Sequence, residues 1–108
     1  MNFEEYQNRA HKTSLNTKIG NDLLIYPILG LTSEVGEIAG KAKKFYRDNT
    51  DVHEFKDMMK KELGDCLWYL SELCTQIEIS LVDIAEANIE KLESRKARNV
   101  ITGSGDNR

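Results

Sequence analysis

The 108-residue sequence lacks several features that would place a protein in a specialised class. It has no basic surplus: 15 lysines and arginines face 18 aspartates and glutamates, which argues against a nucleic-acid-binding surface. It has no long apolar run, so we expect no membrane segment. Residues 1–20 are polar and mixed, so we expect no signal peptide. No strand pattern is evident. These absences predict a single domain that spans residues 1–108 and a cytoplasmic location.

Cysteine is also scarce. Cys66 and Cys74 are the only two, and they lie eight residues apart on one predicted helix. That spacing puts their Cα atoms about 12 Å apart, which is too far for a mutual disulfide. We therefore expect both thiols to be reduced, as in an intracellular protein.

Four segments carry helical patterns, which predicts an all-α four-helix bundle. Their approximate ranges are 3–14, a second segment that ends near 47, 51–78 and 80–98. The predicted N-caps are Asn2, Asp51 and Ser80. Pro27 is expected in the first turn of the second helix, or at a kink if that helix begins near residue 22. Residues 99–108 are expected to form a flexible, glycine-containing tail.

Two of these helices each carry a pair of carboxylates one turn apart. The second helix has "EVGE", with Glu34 at the edge of the apolar face and Glu37 further out. The third has "ELGD", with Glu62 inside a broad apolar arc and Asp65 beside it. A charge in such an arc is costly unless it is paired or bound to metal. Antiparallel packing of the two helices would gather four mutually repelling carboxylates. The alternative is that Glu34 and Glu37 are simply exposed and balanced by Lys41.

The ligand types predict which metal would bind. All four side chains offer oxygen, and neither histidine shares their helical ridges, as di-iron four-helix proteins would require. Hard oxygen ligands favour Mg²⁺ or Mn²⁺ over zinc. Because Mg²⁺ is usually shared with substrate phosphates, the pattern indicates chemistry on a phosphate ester or anhydride.

The fourth helix carries a polar side chain on its apolar face. Asn88 lies near the middle of that face, with Lys91 and Arg95 along one edge. A buried Asn needs hydrogen-bond partners, so it either bonds to neighbouring backbone or reaches a substrate beside two cations suited to phosphate. On the third helix, aromatic residues usually pack in the core. We assign Trp68 to packing, and Tyr69 is the better candidate for nucleotide contact.

Three stretches together resemble the MazG-like, all-α nucleotide pyrophosphohydrolases. They are "LGLTSEVGEIAGKAKK", "KKELGDCLWYL" and "NIEKLESRKAR", and the likeness covers roughly residues 3–98. It implies hydrolysis of a nucleoside triphosphate, usually a deoxynucleotide or a damaged one, to the monophosphate and pyrophosphate. The related phosphoribosyl-ATP pyrophosphohydrolases match less well.

The resemblance also implies roles for individual residues. Asn88 and Lys91, and Arg95 with them, would help to bind the nucleotide. From its charge alone, Lys41 could stabilise the leaving pyrophosphate. Subunits would assemble as homo-dimers or homo-tetramers. The residues that would hold Mg²⁺ and carry catalysis are Glu34, Glu37, Glu62 and Asp65, with Glu34 or Glu37 orienting or deprotonating the attacking water.

Two further interpretations stay open at this point. The chain could be a non-catalytic helical binding protein whose acidic ridge holds a partner or a divalent ion. Gly36 and Gly40 lie one turn apart on the side of the second helix away from its apolar face. They could let another helix approach closely, as in a subunit contact, or could simply be tolerated on an exposed face.

Overall fold

The structure, a computed structural model, describes all residues 1–108 and contains four helices and no strand. The helices are α1 (Phe3–His11), α2 (Ile25–Asp48), α3 (Val52–Gln76) and α4 (Leu81–Ala97). The all-α prediction is therefore confirmed. The largest departure is at the end of α1, which stops at His11, three residues before the predicted end.

Three of the four helices begin where a local side chain caps them. Asn2 accepts a 2.8 Å hydrogen bond from the backbone amide of Glu5. Asp51 caps α3 and Ser80 caps α4 in the same manner. Pro27 lies in the first turn of α2, where its missing N–H costs nothing. These predictions are confirmed because each depends only on residues a few positions apart.

Two long helices form the body of the fold. Three residues connect α2 to α3, and the two helices pack along each other as an antiparallel hairpin. Near their connection Phe45 and Phe55 stack with ring centroids 4.2 Å apart. α1 packs on α3, and α4 packs on α1 but makes no comparable contact with the α2–α3 hairpin.

Gln7 links α1 to the connection between α3 and α4. Its amide nitrogen donates to Thr75 Oγ1 at 3.2 Å and to the Ile79 carbonyl at 3.0 Å. Its amide oxygen accepts a 2.8 Å bond from the backbone amide of Leu81, the first residue of α4. α1 therefore holds the connection between α3 and α4 in place.

The single chain has an open shape. Its radius of gyration is 16.9 Å, whereas a compact domain of this length would have about 13 Å. Only 7 of its 108 residues are buried. The apolar face of α4 is uncovered, so Ile84, Ile89 and Leu92 are exposed. Asn88 on that face is exposed too, so the prediction that it would be buried is wrong for the single chain.

Residues 99–108 form neither helix nor strand. Arg108 donates hydrogen bonds to three carbonyls within this segment. Arg95 of α4 is only 5% exposed, and its Nη2 donates to the Asp106 carbonyl at 2.8 Å. The flexibility of the segment stays a prediction.

None of the four helices combines the length and the apolarity that crossing a bilayer requires. Both cysteines are free, as their spacing predicted.

Candidate metal centre and its cleft

Three of the four predicted carboxylates converge. Glu34 of α2 and Glu62 and Asp65 of α3 each place one oxygen within 4.8 Å of the others. The convergence follows from the hairpin, because α2 and α3 run side by side and Glu62 and Asp65 are one turn apart on the same ridge. Glu37 lies outside this group with an exposed side chain.

The carboxylate cluster has no cationic partner. Lys41 is partly exposed and forms no ion pair with any of the four acidic side chains. Partial burial, followed by the charges of the neighbouring carboxylates, raises the pKa of Glu34 above its ordinary value. The repulsion expected from the sequence is therefore present and uncompensated within the chain.

The side chains of the cluster offer only oxygen ligands, and a thiol lies nearby. Burial raises the pKa of Cys66, and the charges of Glu34, Asp65 and Glu62 raise it further. The thiol therefore stays protonated at neutral pH in the metal-free protein, and Cys66 is not one of the three converging side chains. The remaining donors are carboxylate oxygens, which fit hard divalent cations such as Mg²⁺ and Mn²⁺.

A cleft of about 430 Å³ opens beside the cluster. Its lining combines Glu34 and Asp65 with Thr13, Trp68 and Tyr69. Thr13 follows the end of α1, so that end of the helix forms one wall of the cleft. The sequence predicts Trp68 to be a packing residue, but its side chain is partly exposed and lines the cleft with the carboxylates.

Tyr69 is fixed in the cleft by two residues of α2. Contact with the Tyr26 hydroxyl is the main reason why the pKa of Tyr69 is raised to about 12, so its hydroxyl stays protonated. The two rings meet edge to face with centroids 6.0 Å apart. The Tyr69 ring also occupies the space that a Cβ at Gly30 would need. The glycine therefore allows the ring to lie directly against α2.

The predicted nucleotide ligands of α4 lie elsewhere. Asn88 and Lys91 are exposed on α4, and Arg95 is buried beneath residues 99–108. Because α4 packs on α1, no extended packing brings these three residues against the hairpin that carries the carboxylates. Their role in nucleotide binding stays a prediction.

A second acidic site joins α1 to α3, and no sequence signal marks it. Glu72 is 3% exposed, and its Oε2 lies 3.1 Å from Nδ1 of His11. Gln76 donates to Oε1 at 2.9 Å. Burial acts to raise the pKa of Glu72, but the hydrogen bonds from Gln76 and His11 outweigh it, so the pKa is lowered. The pair depends on where α1 crosses α3, which helical periodicity does not reveal.

Comparison with known proteins identifies the family. Residues 27–100 match the MazG nucleotide pyrophosphohydrolase domain, and the chain belongs to this family. It is similar to the "Gene 37 protein" of Mycobacterium phage L5, with 41% identity over 114 residues that cover the whole of both chains. No solved structure matches the chain. The family match begins after α1 and includes all four predicted carboxylates.

Proposed function

We propose that this protein is a divalent-metal-dependent nucleoside triphosphate pyrophosphohydrolase. It would convert an NTP or dNTP and water to the nucleoside monophosphate and pyrophosphate. The observation that carries the proposal is the convergence of Glu34, Glu62 and Asp65 without a cationic partner, in a chain of the MazG family.

Mg²⁺, or Mn²⁺ in its place, fits this donor set. Glu34, Glu62 and Asp65 would hold it, and Glu37, one turn from Glu34, would be the fourth carboxylate. When bound, the ion would neutralise the charge of the triphosphate and polarise the attacked phosphoryl group. The three carboxylates in turn gain the positive charge that their own chain does not provide.

The reaction breaks the anhydride bond between the α- and β-phosphates. The water oxygen forms a bond to the α-phosphorus, and the bond from that phosphorus to the bridging oxygen breaks, which releases pyrophosphate. Glu34 or Glu37 would accept the proton of the water. Lys41, one turn beyond Glu37, would stabilise the charge of the leaving pyrophosphate.

We propose that the active assembly is a homo-dimer, or a tetramer built from dimers. The chain exposes 8019 Å², roughly 1,900 Å² more than the approximately 6,100 Å² expected for a compact monomer of its mass. That surplus lies within the range that one subunit contributes to a stable interface. A second copy that covers α4 would give Asn88 and Lys91 a route to the nucleotide. Arg95 could join them only by leaving the Asp106 carbonyl.

The test is product analysis with a panel of NTPs and dNTPs in Mg²⁺ or Mn²⁺. We expect monophosphate and pyrophosphate in equal amounts, and no turnover in a chelator. Removal of residues that only support metal ligands costs 10–100-fold, so we expect Glu62→Gln to lower turnover by more than about 100-fold. Asp57→Asn, an exposed acid earlier on α3, is the matched control and should retain wild-type turnover.

The competing function is a non-catalytic helical protein with an acidic ion site. If this function is correct, Mg²⁺ alone gives the whole increase in melting temperature, and adding a nucleotide gives no further increase. No nucleotide is hydrolysed. The enzyme predicts a larger shift with Mg²⁺ and a dNTP together than with either alone. Full activity of Glu62→Gln would contradict the metal-site assignment.

A further inference from the structure

The cleft brings aromatic side chains next to the carboxylate cluster. Trp68 and Tyr69 follow Asp65 by three and four residues on α3, so they lie about one helical turn, roughly 5 Å, along the axis from it. In a nucleotide the sugar separates the base from the phosphates. Phosphates bound at the carboxylates would therefore direct the base along the cleft, towards these aromatic rings.

Trp68 is held in one orientation by a residue of another segment. Its Nε1 donates a 2.8 Å hydrogen bond to Thr13 Oγ1, and the Thr13 hydroxyl donates at 2.7 Å to the Ala10 carbonyl. An indole N–H can only donate, and a hydroxyl has a single proton. Both hydrogens are thus committed, and the indole edge is tied to the end of α1.

The opposite side of the aromatic group is fixed as well. Trp68 and Tyr69 meet edge to face, with ring centroids 5.1 Å apart and planes at 88°. Tyr69 is in turn held by Tyr26 and by its close approach to Gly30. A tryptophan that served only to fill the core would be enclosed, whereas Trp68 keeps part of its surface in a cleft of about 430 Å³.

We infer that Trp68 is the stacking surface for the nucleobase and that Thr13 is a positioning residue, which sets the orientation of the indole through its hydroxyl. The inference rests on the proposed function, because it takes the phosphates to lie at the carboxylate cluster. Stacking on an aromatic side chain contributes substantially to nucleotide affinity and tolerates every base, since every base has a π-face.

Binding can be followed directly because Trp68 is the only tryptophan in the chain. Intrinsic fluorescence is recorded while the wild-type protein is titrated with deoxyadenosine monophosphate in Mg²⁺, a ligand with a base but without an α–β anhydride. We expect saturable quenching of the emission. Inorganic pyrophosphate, which has no base, should bind without quenching.

Variants of Thr13 separate positioning from a general structural role. Thr13→Val keeps the shape and removes the hydroxyl, so we expect KM for dNTPs to rise about 5- to 10-fold with kcat within twofold of wild type. Thr13→Ser keeps the hydroxyl and should restore the wild-type KM. Thr17→Val, an exposed site in the same connection, is the matched control and should change neither parameter.

A variant of the stacking residue completes the test. Trp68→Leu should weaken deoxyadenosine monophosphate binding, measured by equilibrium dialysis, by about 10-fold or more. Melting temperatures of all variants show whether the fold is retained.

The outcomes distinguish this inference from the proposed function. Suppose that dNTPs are hydrolysed, that Trp68 emission does not change, and that Thr13→Val has the wild-type KM. This result would overturn the base subsite and support the proposed enzymatic function. Quenching by deoxyadenosine monophosphate without hydrolysis of any triphosphate would overturn the enzyme and support the subsite. A lower kcat with an unchanged KM in Thr13→Val would also contradict the positioning role.

Discussion

The ring of Tyr69 lies against α2 where the side chain of residue 30 would begin, and Gly30 is the residue that leaves this space open. Gly30 is one turn before Glu34, and Tyr69 is one turn after Asp65. The contact therefore sets the distance between α2 and α3 next to the carboxylates. A helix-weakening residue is thus placed where the Tyr69 ring lies against the backbone of α2.

Gly30→Ala should destabilise the protein. The added methyl would gain about 1 kcal/mol in helix propensity, but forcing the Tyr69 ring aside should cost about 1–3 kcal/mol. We expect a net loss of up to about 2 kcal/mol, measured by urea unfolding. Gly64→Ala, where nothing lies within 4 Å of the added methyl, should instead be neutral or stabilising. Equal gains in both variants would show that Tyr69 is free to move.

Glu34→Gln should raise the melting temperature of the metal-free protein by roughly 2–5 °C, the equivalent of less than about 1 kcal/mol. The reason is the loss of one charge from a repelling cluster. Since the pKa of Glu34 is raised by folding, its contribution destabilises the metal-free fold as pH rises above about 4.5. Differential scanning calorimetry in chelator at several pH values measures this dependence.

The same variant should lose its response to Mg²⁺. Wild-type protein gains stability from any ion that binds only the folded state, whereas Glu34→Gln lacks one ligand. Asp57→Asn serves as the control and should keep the full Mg²⁺ shift. A wild-type Mg²⁺ shift in Glu34→Gln would remove Glu34 from the metal site.

The buried Glu72 should make the fold sensitive to acid. Its pKa is lowered by folding, so its stabilising contribution is complete above about pH 4.5 and is lost as pH falls through the lower, folded-state value. Glu72→Gln should therefore flatten the decline in melting temperature between about pH 5 and pH 3. His11→Ala, which removes one donor to the buried carboxylate, should cost about 1–3 kcal/mol at pH 7.

A control for this site is available on α1. Glu5 forms an exposed ion pair with Arg9, and such pairs contribute little, so Glu5→Gln should leave the acid profile unchanged. An unaltered profile in Glu72→Gln would show that another group governs the acid response.

Ile89→Glu should weaken self-association. Ile89 is 52% exposed on the uncovered face of α4, and a charge there would oppose burial against a second copy. We expect a dimer or tetramer for the wild type and a monomer for the variant, measured by light scattering coupled to size exclusion. Lys96→Gln changes the net charge of α4 by the same amount at an exposed polar site and should keep the wild-type mass.

Prediction from the sequence succeeded where the determinants are local. The caps at Asn2, Asp51 and Ser80 need only neighbouring residues, and the convergence of Glu34 with Glu62 and Asp65 needs only acidic residues on the facing sides of consecutive helices. Glu37, which was predicted to join them, is exposed outside this group. The contacts of Thr13 with Trp68 and of His11 with Glu72 span 55 and 61 residues. They depend on where α1 crosses α3, and periodicity within a helix does not determine that crossing.

Asn88 shows a different limit. Its position on a helix was predicted correctly. Its predicted burial is wrong for the single chain, because the apolar face of α4 has no covering helix within the chain. A hydrophobic pattern shows which face a helix would bury without showing whether the covering surface belongs to the same chain.

α1 lies outside the region that matches the family, residues 27–100, and yet several contacts depend on it. Through Gln7 it fixes the start of α4, and through Thr13 it closes the cleft. The chain is thus divided into a part that holds the carboxylates and a part, its first 24 residues, that can vary without altering any of them. In the enzyme that we propose, substitutions in the first 24 residues would change which nucleotide is accepted, and how α4 is presented to a second copy. Selectivity would therefore evolve independently of the chemistry.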